Sequence, residues 1–109
     1  MITVSFRLDG PRISGFLCEG HSGLAPEGED IVCAAVSSAV RMAECAVNDV
    51  VGAEARIFID KASPSVSLQL PEGLEEETEA VCQAVLTAMM ISLSRISEEY
   101  PENITVLEV

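Results

Sequence analysis

The sequence predicts a single α+β domain in the order ββαββαβ, with two helices packed on a mainly antiparallel sheet. Three observations carry that expectation. Five short segments have the alternation or β-branched richness of strands, and two longer runs have helical start signals and an apolar face. The chain has 109 residues, the size of one domain, and no linker or low-complexity stretch divides it. Its hydrophobic fraction of 49% supplies a core and argues against disorder.

Thr3-Val4-Ser5-Phe6-Arg7-Leu8 alternates polar and apolar residues, as a half-buried strand does. Asp9-Gly10-Pro11 supplies a turn, and Arg12 to Cys18 reads as the returning strand of a hairpin. Gly15 weakens that strand locally or marks a bulge. Gly20 to Glu29 holds three glycines and Pro26 and reads as a mobile loop. Asp30 is a favoured helix N-cap, and Ile31 to about Asn48 forms the first helix. Because small apolar residues surround it, this helix is expected to be buried and closely packed.

Gly52 follows the helix. Arg56-Ile57-Phe58-Ile59 and Val66-Ser67-Leu68-Gln69-Leu70 read as strands joined by a turn at Lys61-Ala62-Ser63-Pro64. After Pro71-Glu72-Gly73, the residues Glu75, Glu76, Glu77 and Glu79 open a long helix at the end where its dipole favours negative charge. They read as a solvated helix start, not a binding site. Val81, Val85, Met89, Leu93 and Ile96 form its expected core stripe, with Met89 and Met90 as adaptable fillers. Pro101 ends the helix, and Ile104-Thr105-Val106-Leu107 closes the chain as a fifth strand.

Acidic residues number 18 against 6 basic ones, a net charge of −12. Such a surface lacks the positive footprint needed to displace counterions from phosphate, so direct nucleic-acid binding and attachment to anionic membranes are not expected. A basic partner fits the sign of the charge. No continuous apolar run reaches the length of a membrane span, and the start Met1-Ile2-Thr3-Val4-Ser5-Phe6-Arg7 lacks the features of a secretion signal. The expected location is therefore cytoplasmic. Cys18, Cys33, Cys45 and Cys82 contain no CxxC pair and share the chain with one histidine, so no metal or other cofactor is expected. Thiols are the expected state in that compartment.

One group of residues points to chemistry. Gly20-His21 ends a strand, a glycine-bearing loop follows, and Asp30-Ile31-Val32-Cys33 opens a helix. With Asp30 as N-cap, Cys33 is the third helical residue, beside unpaired amide hydrogens whose dipoles favour a thiolate. His21 lies twelve residues earlier, where the loop can return it to the thiol as a general base and later a proton donor. The same amides suit an oxyanion. Capping by itself accounts for Asp30, which is also placed to orient His21. Ser37, one turn after Cys33, either faces the same site or bonds back to a helix carbonyl. Cys18, Cys45 and Cys82 lack a helix-start position and an adjacent histidine and are assigned to structure.

Gly20-His21, the loop, and Asp30-Ile31-Val32-Cys33-Ala34-Ala35 resemble the ribosomal-processing cysteine proteases. The resemblance extends through Met1-Ile2-Thr3-Val4, Met89-Met90-Ile91-Ser92-Leu93 and Glu98-Glu99-Tyr100-Pro101-Glu102-Asn103-Ile104. It implies a homodimeric endopeptidase that removes the N-terminal extension of ribosomal protein bL27, cutting after an aromatic residue in a short apolar motif. It also implies Cys33 as nucleophile, His21 as general base and acid, and a substrate-gating loop containing Ser22, Gly23 and Gly28. Ser22 stands where alanine is more usual in the family. Two other readings compete. One is a non-catalytic acidic adaptor that grips a basic tail during ribosome assembly. The other is a thiol redox sensor, which needs Cys18 or Cys45 to approach Cys33.

Overall fold

The computed structural model describes residues 1–21, 23–26 and 30–109. Its elements run β1 (Ile2–Asp9), β2 (Arg12–Glu19), α1 (Ile31–Glu44), β3 (Arg56–Asp60), β4 (Ser65–Gln69), α2 (Glu76–Glu99) and β5 (Ile104–Glu108). A π-helical segment, Cys45–Val50, continues α1. The order is ββαββαβ, as the sequence predicts. The five strands form one sheet in the order β3-β4-β2-β1-β5. Every neighbouring pair is antiparallel except β1 and β5, which run parallel, and α2 is the connection from β4 to β5.

Alternation along β1 places Ile2, Val4 and Phe6 in the core. Phe16 of β2 lies opposite Phe6, their ring centroids 6.0 Å apart, and Leu68 of β4 continues that buried row. The β1–β2 register shifts between Arg7 and Leu8, where Arg7 faces Gly15 and Leu8 faces Ile13. The bulge suggested by Gly15 is therefore present. Gly15 serves a second purpose, because a Cβ there would overlap the carbonyl oxygen of Leu68 on β4.

α1 is less buried than its small-residue composition predicts. Val32, Val36, Val40 and Ala43, followed by Val47, face the core, whereas Ile31, Met42 and Val50 are exposed. In a two-layer fold a helix covers the sheet with one face and turns the other to solvent. By length and composition, α1 with its extension and α2 each qualify as bilayer spans, a test that core helices also pass. Within the π-helical segment, Asn48 closes the connection to β3. Its side-chain amide donates to the carbonyl of Ala55 at 3.0 Å and its carbonyl oxygen accepts from the Ala55 N–H at 2.7 Å.

The buried stripe of α2 also departs from expectation. It consists of Cys82, Leu86, Met89 and Leu93, while Val81 is exposed and Val85 and Ile96 are half-buried. The apolar sector of α2 is wider than the sheet can cover, and its rotation is set by polar clamps at its start. Gln83 brackets the Ile13 backbone, accepting from its N–H and donating to its carbonyl, both at 2.8 Å. Arg12 pairs with Glu79 at 2.8 Å and also donates to the Pro71 carbonyl. Of the glutamates that open α2, Glu79 thus has a structural partner, and Glu75, Glu76 and Glu77 face solvent. Leu86→Ala is expected to cost about 2–5 kcal/mol, and Val81→Ala less than about 1 kcal/mol. Chemical denaturation of the two variants checks the order, and an equal loss in both would contradict this rotation.

Candidate active site

β2 and α1 supply the candidate residues. β2 ends at Glu19, and the chain passes through Gly20 into His21, which is exposed. Gly20 has φ +92°, and a Cβ on it would overlap the Met1 carbonyl oxygen. Only glycine fits this exit, so the dipeptide Gly20-His21 has a steric basis. The Gly20 N–H donates to the Pro64 carbonyl at 3.0 Å, tying this exit to the turn between β3 and β4.

The start of α1 matches the sequence expectation. Asp30 is the N-cap, is 6% exposed, and accepts from the Cys33 N–H through Oδ1 at 3.0 Å. Its Oδ2 accepts from the Ala25 N–H at 3.4 Å, so one carboxylate fastens both the helix start and the preceding loop. Cys33 is the third helical residue and is half-buried against the core. Ser37 lies one turn further along α1 and is exposed. Gly23 is exposed, with φ +74°; Ser22 and Gly28, the other two residues of the expected gate, lie outside the described residues.

Cys18, assigned to structure from the sequence, lies on the core side of β2. In β2 it shares a face with Phe16 and pairs with Val4 on one side and Val66 on the other, so its thiol points toward the helical layer. Burial pushes this thiol up to about 11 from its ordinary 9.0, and the negative charges of Cys33 and Glu19 add to the rise. Cys18 and Cys33 both pack against the same buried core. Alternation was the available signal, since Cys18 is two residues from Phe16 and three before His21. Cys45 is exposed at the far end of α1, roughly 18 Å along the axis from Cys33. Cys82 is buried in α2, where burial raises its thiol, Glu79 adds to the rise, and Arg12 opposes it.

Cys18 is therefore expected to remain unmodified by iodoacetamide at pH 8 while exposed Cys45 is alkylated, and to react as pH approaches 11. Peptide mapping checks this, and labelling of Cys18 at pH 8 in the folded protein would contradict it. The linkage has a definite sign. The unfolded chain loses the Cys18 proton first, so stability from this group is intact below pH 9 and declines as pH rises toward 11.

Two shallow concavities, of about 430 and 530 Å³, lie on α2 and against β5, away from Cys33. Among the described residues, no cluster of three or more His, Cys, Asp or Glu side chains is arranged to hold a metal. The available chemistry is that of a thiol at a capped helix start, an exposed imidazole at a strand exit, and backbone amides that favour negative charge.

Comparison with known proteins supplies the family. The family described as cysteine protease Prp matches residues 1–105. The ribosomal processing cysteine protease Prp of Bacillus subtilis (strain 168) is 32% identical over 94 residues, covering 86% of this chain and 84% of the relative. The protein of the same name from Staphylococcus aureus (strain Mu50) is 29% identical over 105 residues, 95% of each chain. The crystal structure of S. aureus Prp with a covalently linked product peptide superposes with a TM-score of 0.88 at 26% identity, covering 100% of both chains. A second S. aureus Prp structure, with a substrate peptide, shares the fold with a TM-score of 0.82 at 24% identity and the same full coverage. A family match spanning nearly the whole sequence, together with these relatives, establishes that the chain belongs to the cysteine protease Prp family.

Proposed function

We propose that this protein is a cytoplasmic, homodimeric endopeptidase that removes the N-terminal extension from the precursor of ribosomal protein bL27. The observation that carries the proposal is the position of Cys33, third residue of a helix whose N-cap, Asp30, binds the Cys33 amide. The relatives named as ribosomal processing proteases support the substrate class.

In the proposed mechanism, His21 takes the Cys33 proton and the thiolate sulfur attacks the scissile carbonyl carbon. The resulting oxyanion is stabilised by the helix start, where the N–H groups of Ile31 and Val32 have no hydrogen-bond partner among the described residues. His21 then protonates the departing amine as the carbon–nitrogen bond breaks. Water, deprotonated by His21, attacks the thioester, and the thiol is regenerated. The residues around Gly23 cover the bound peptide. No cofactor is required.

Incubation with the host's bL27 precursor, followed by mass spectrometry, tests this reading. Wild type is expected to release one N-terminal fragment, and Cys33→Ala none. An uncut precursor that nevertheless co-purifies with the protein would instead support the acidic adaptor, for which the net charge of −12 is suited.

A further inference from the structure

We infer that the outer edge of β3 is a docking strand for an extended segment of the substrate chain, adding a sixth strand to the sheet. The inference rests on the proteolytic reading and concerns where the chain to be cut is held.

β3 is the end strand of the sheet on the side of β4. The direction in which its backbone groups point follows from two independent sets of hydrogen bonds. Both backbone groups of Ala55 are bound by the Asn48 side chain, so Ala55 faces away from β4. Backbone direction alternates along a strand, and Ile57 and Ile59 therefore face away as well. From the other side, the Leu70 N–H donates to Ser14 at 2.8 Å, so Leu70 turns toward β2, and Gln69, Ser67 and Ser65 turn toward β3. Their partners in register are Arg56, Phe58 and Asp60. The hydrogen-bonded pairs are thus 56–69, 58–67 and 60–65. The N–H and C=O groups of Ile57 and Ile59 point outward with no partner among the described residues.

On the opposite edge the first outward residue is covered and Val106 stays open among the described residues, which makes it a control. Ile104 of β5 has its N–H bonded to the Tyr100 carbonyl and its own carbonyl bonded to the Ser97 hydroxyl. Exposed edges are usually guarded by proline, an inward charge or a bulge. The middle of β3 has none of these, and Phe58 and Ile59 are 69% and 59% exposed. An open apolar edge is suited to strand addition, in which main-chain bonds give affinity and alternate side chains give selectivity.

Its position connects it to Cys33. Ile59 pairs with Val66, and Val66 pairs with Cys18, so one cross-sheet row on the helical side runs from the edge to the thiol that packs with Cys33 against the core. At about 4.8 Å per strand, an added strand lies roughly 14 Å from β2, a distance that four or five extended residues span. The bond between Gly20 and Pro64 also places the β3–β4 turn beside the exit that carries His21. The occupant is therefore an apolar, extended stretch a few residues from the scissile bond.

Amide hydrogen exchange on full-length Cys33→Ala, with and without a synthetic peptide spanning the bL27 extension, tests the proposal. Saturating peptide is expected to slow exchange at Ile57 and Ile59 by about tenfold or more, with little change at Val106 on the opposite edge. Unchanged exchange at Ile57 and Ile59 overturns it. Concentration-dependent protection without peptide assigns the edge to a second copy of the chain and also overturns it. In the otherwise wild-type enzyme, Ile59→Pro removes an outward N–H and spares the β4 ladder. This variant is expected to lower kcat/KM on the precursor about tenfold while unfolding cooperatively, and a wild-type value is a contrary result. A peptide that slows both amides but is never cut by wild type preserves the docking strand and removes the protease reading. A peptide that is cut without protecting them does the opposite.

Discussion

Replacing Cys33 with alanine is expected to reduce cleavage of the bL27 precursor by a factor on the order of 10⁴ or more, and His21→Ala by a comparable factor. The two groups act as a unit, since the sulfur without a proton acceptor and the imidazole without a nucleophile are similarly ineffective. The double variant is accordingly expected to be no worse than either single one. Neither substitution should unfold the protein. Cys33 is only half-buried and its backbone amide remains capped by Asp30, while His21 is exposed. Losses below about 1 kcal/mol are expected for each. The checks are cleavage by mass spectrometry and thermal unfolding of the same samples. Wild-type cleavage by either folded variant would remove Cys33 and His21 from the mechanism.

Gly20→Ala carries the second large effect and separates the geometry of the site from its chemistry. It removes none of the proposed reacting groups but puts a methyl group where the Met1 carbonyl oxygen lies, at a φ of +92°. The strain and overlap are expected to cost about 2–4 kcal/mol. The strand exit must shift to relieve them, weakening the bond from the Gly20 N–H to Pro64 and moving His21. Displacement of a catalytic group by about 1 Å is worth roughly 10²-fold in rate, so kcat/KM is expected to fall by about that factor in the protein that remains folded. Cleavage assays below the lowered Tm, scaled to the folded fraction, measure it. Full activity in folded Gly20→Ala would show that His21 does not depend on this turn.

The relation between sequence and structure is clearest where the two differ. Val81 satisfies the three- and four-residue steps of α2 as well as Cys82 does, yet Cys82 is buried and Val81 is exposed. Periodicity identifies an apolar sector, but Gln83 on Ile13 and Arg12 on Glu79 select which part faces the sheet, and these contacts join residues 70 and 67 positions apart. α1 shows the same limit, since its small apolar residues do not reveal how many layers surround it. Cys18 is a comparable case. Its place on the core side of β2 follows from strand pairing, and no local spacing of cysteines encodes it. The redox-sensor reading required Cys18 or Cys45 to approach Cys33; Cys18 packs against the same core as Cys33, whereas Cys45 is exposed at the other end of α1.

What the sequence determined by itself was local: strands from alternation, the start of α1 from the capping preference of Asp30, the end of β2 from Gly20, and Cys33 as the third residue of a helix. Each was readable from residues close in sequence, although the overlap with Met1 that requires Gly20 is a tertiary one. The tertiary structure decided the strand order, the faces that α1 and α2 bury, the packing of Cys18 and Cys33 against one core, and the open edge of β3. Those features depend on hydrogen bonds and packing between distant segments, where many arrangements satisfy the same local pattern and only the assembled sheet selects among them.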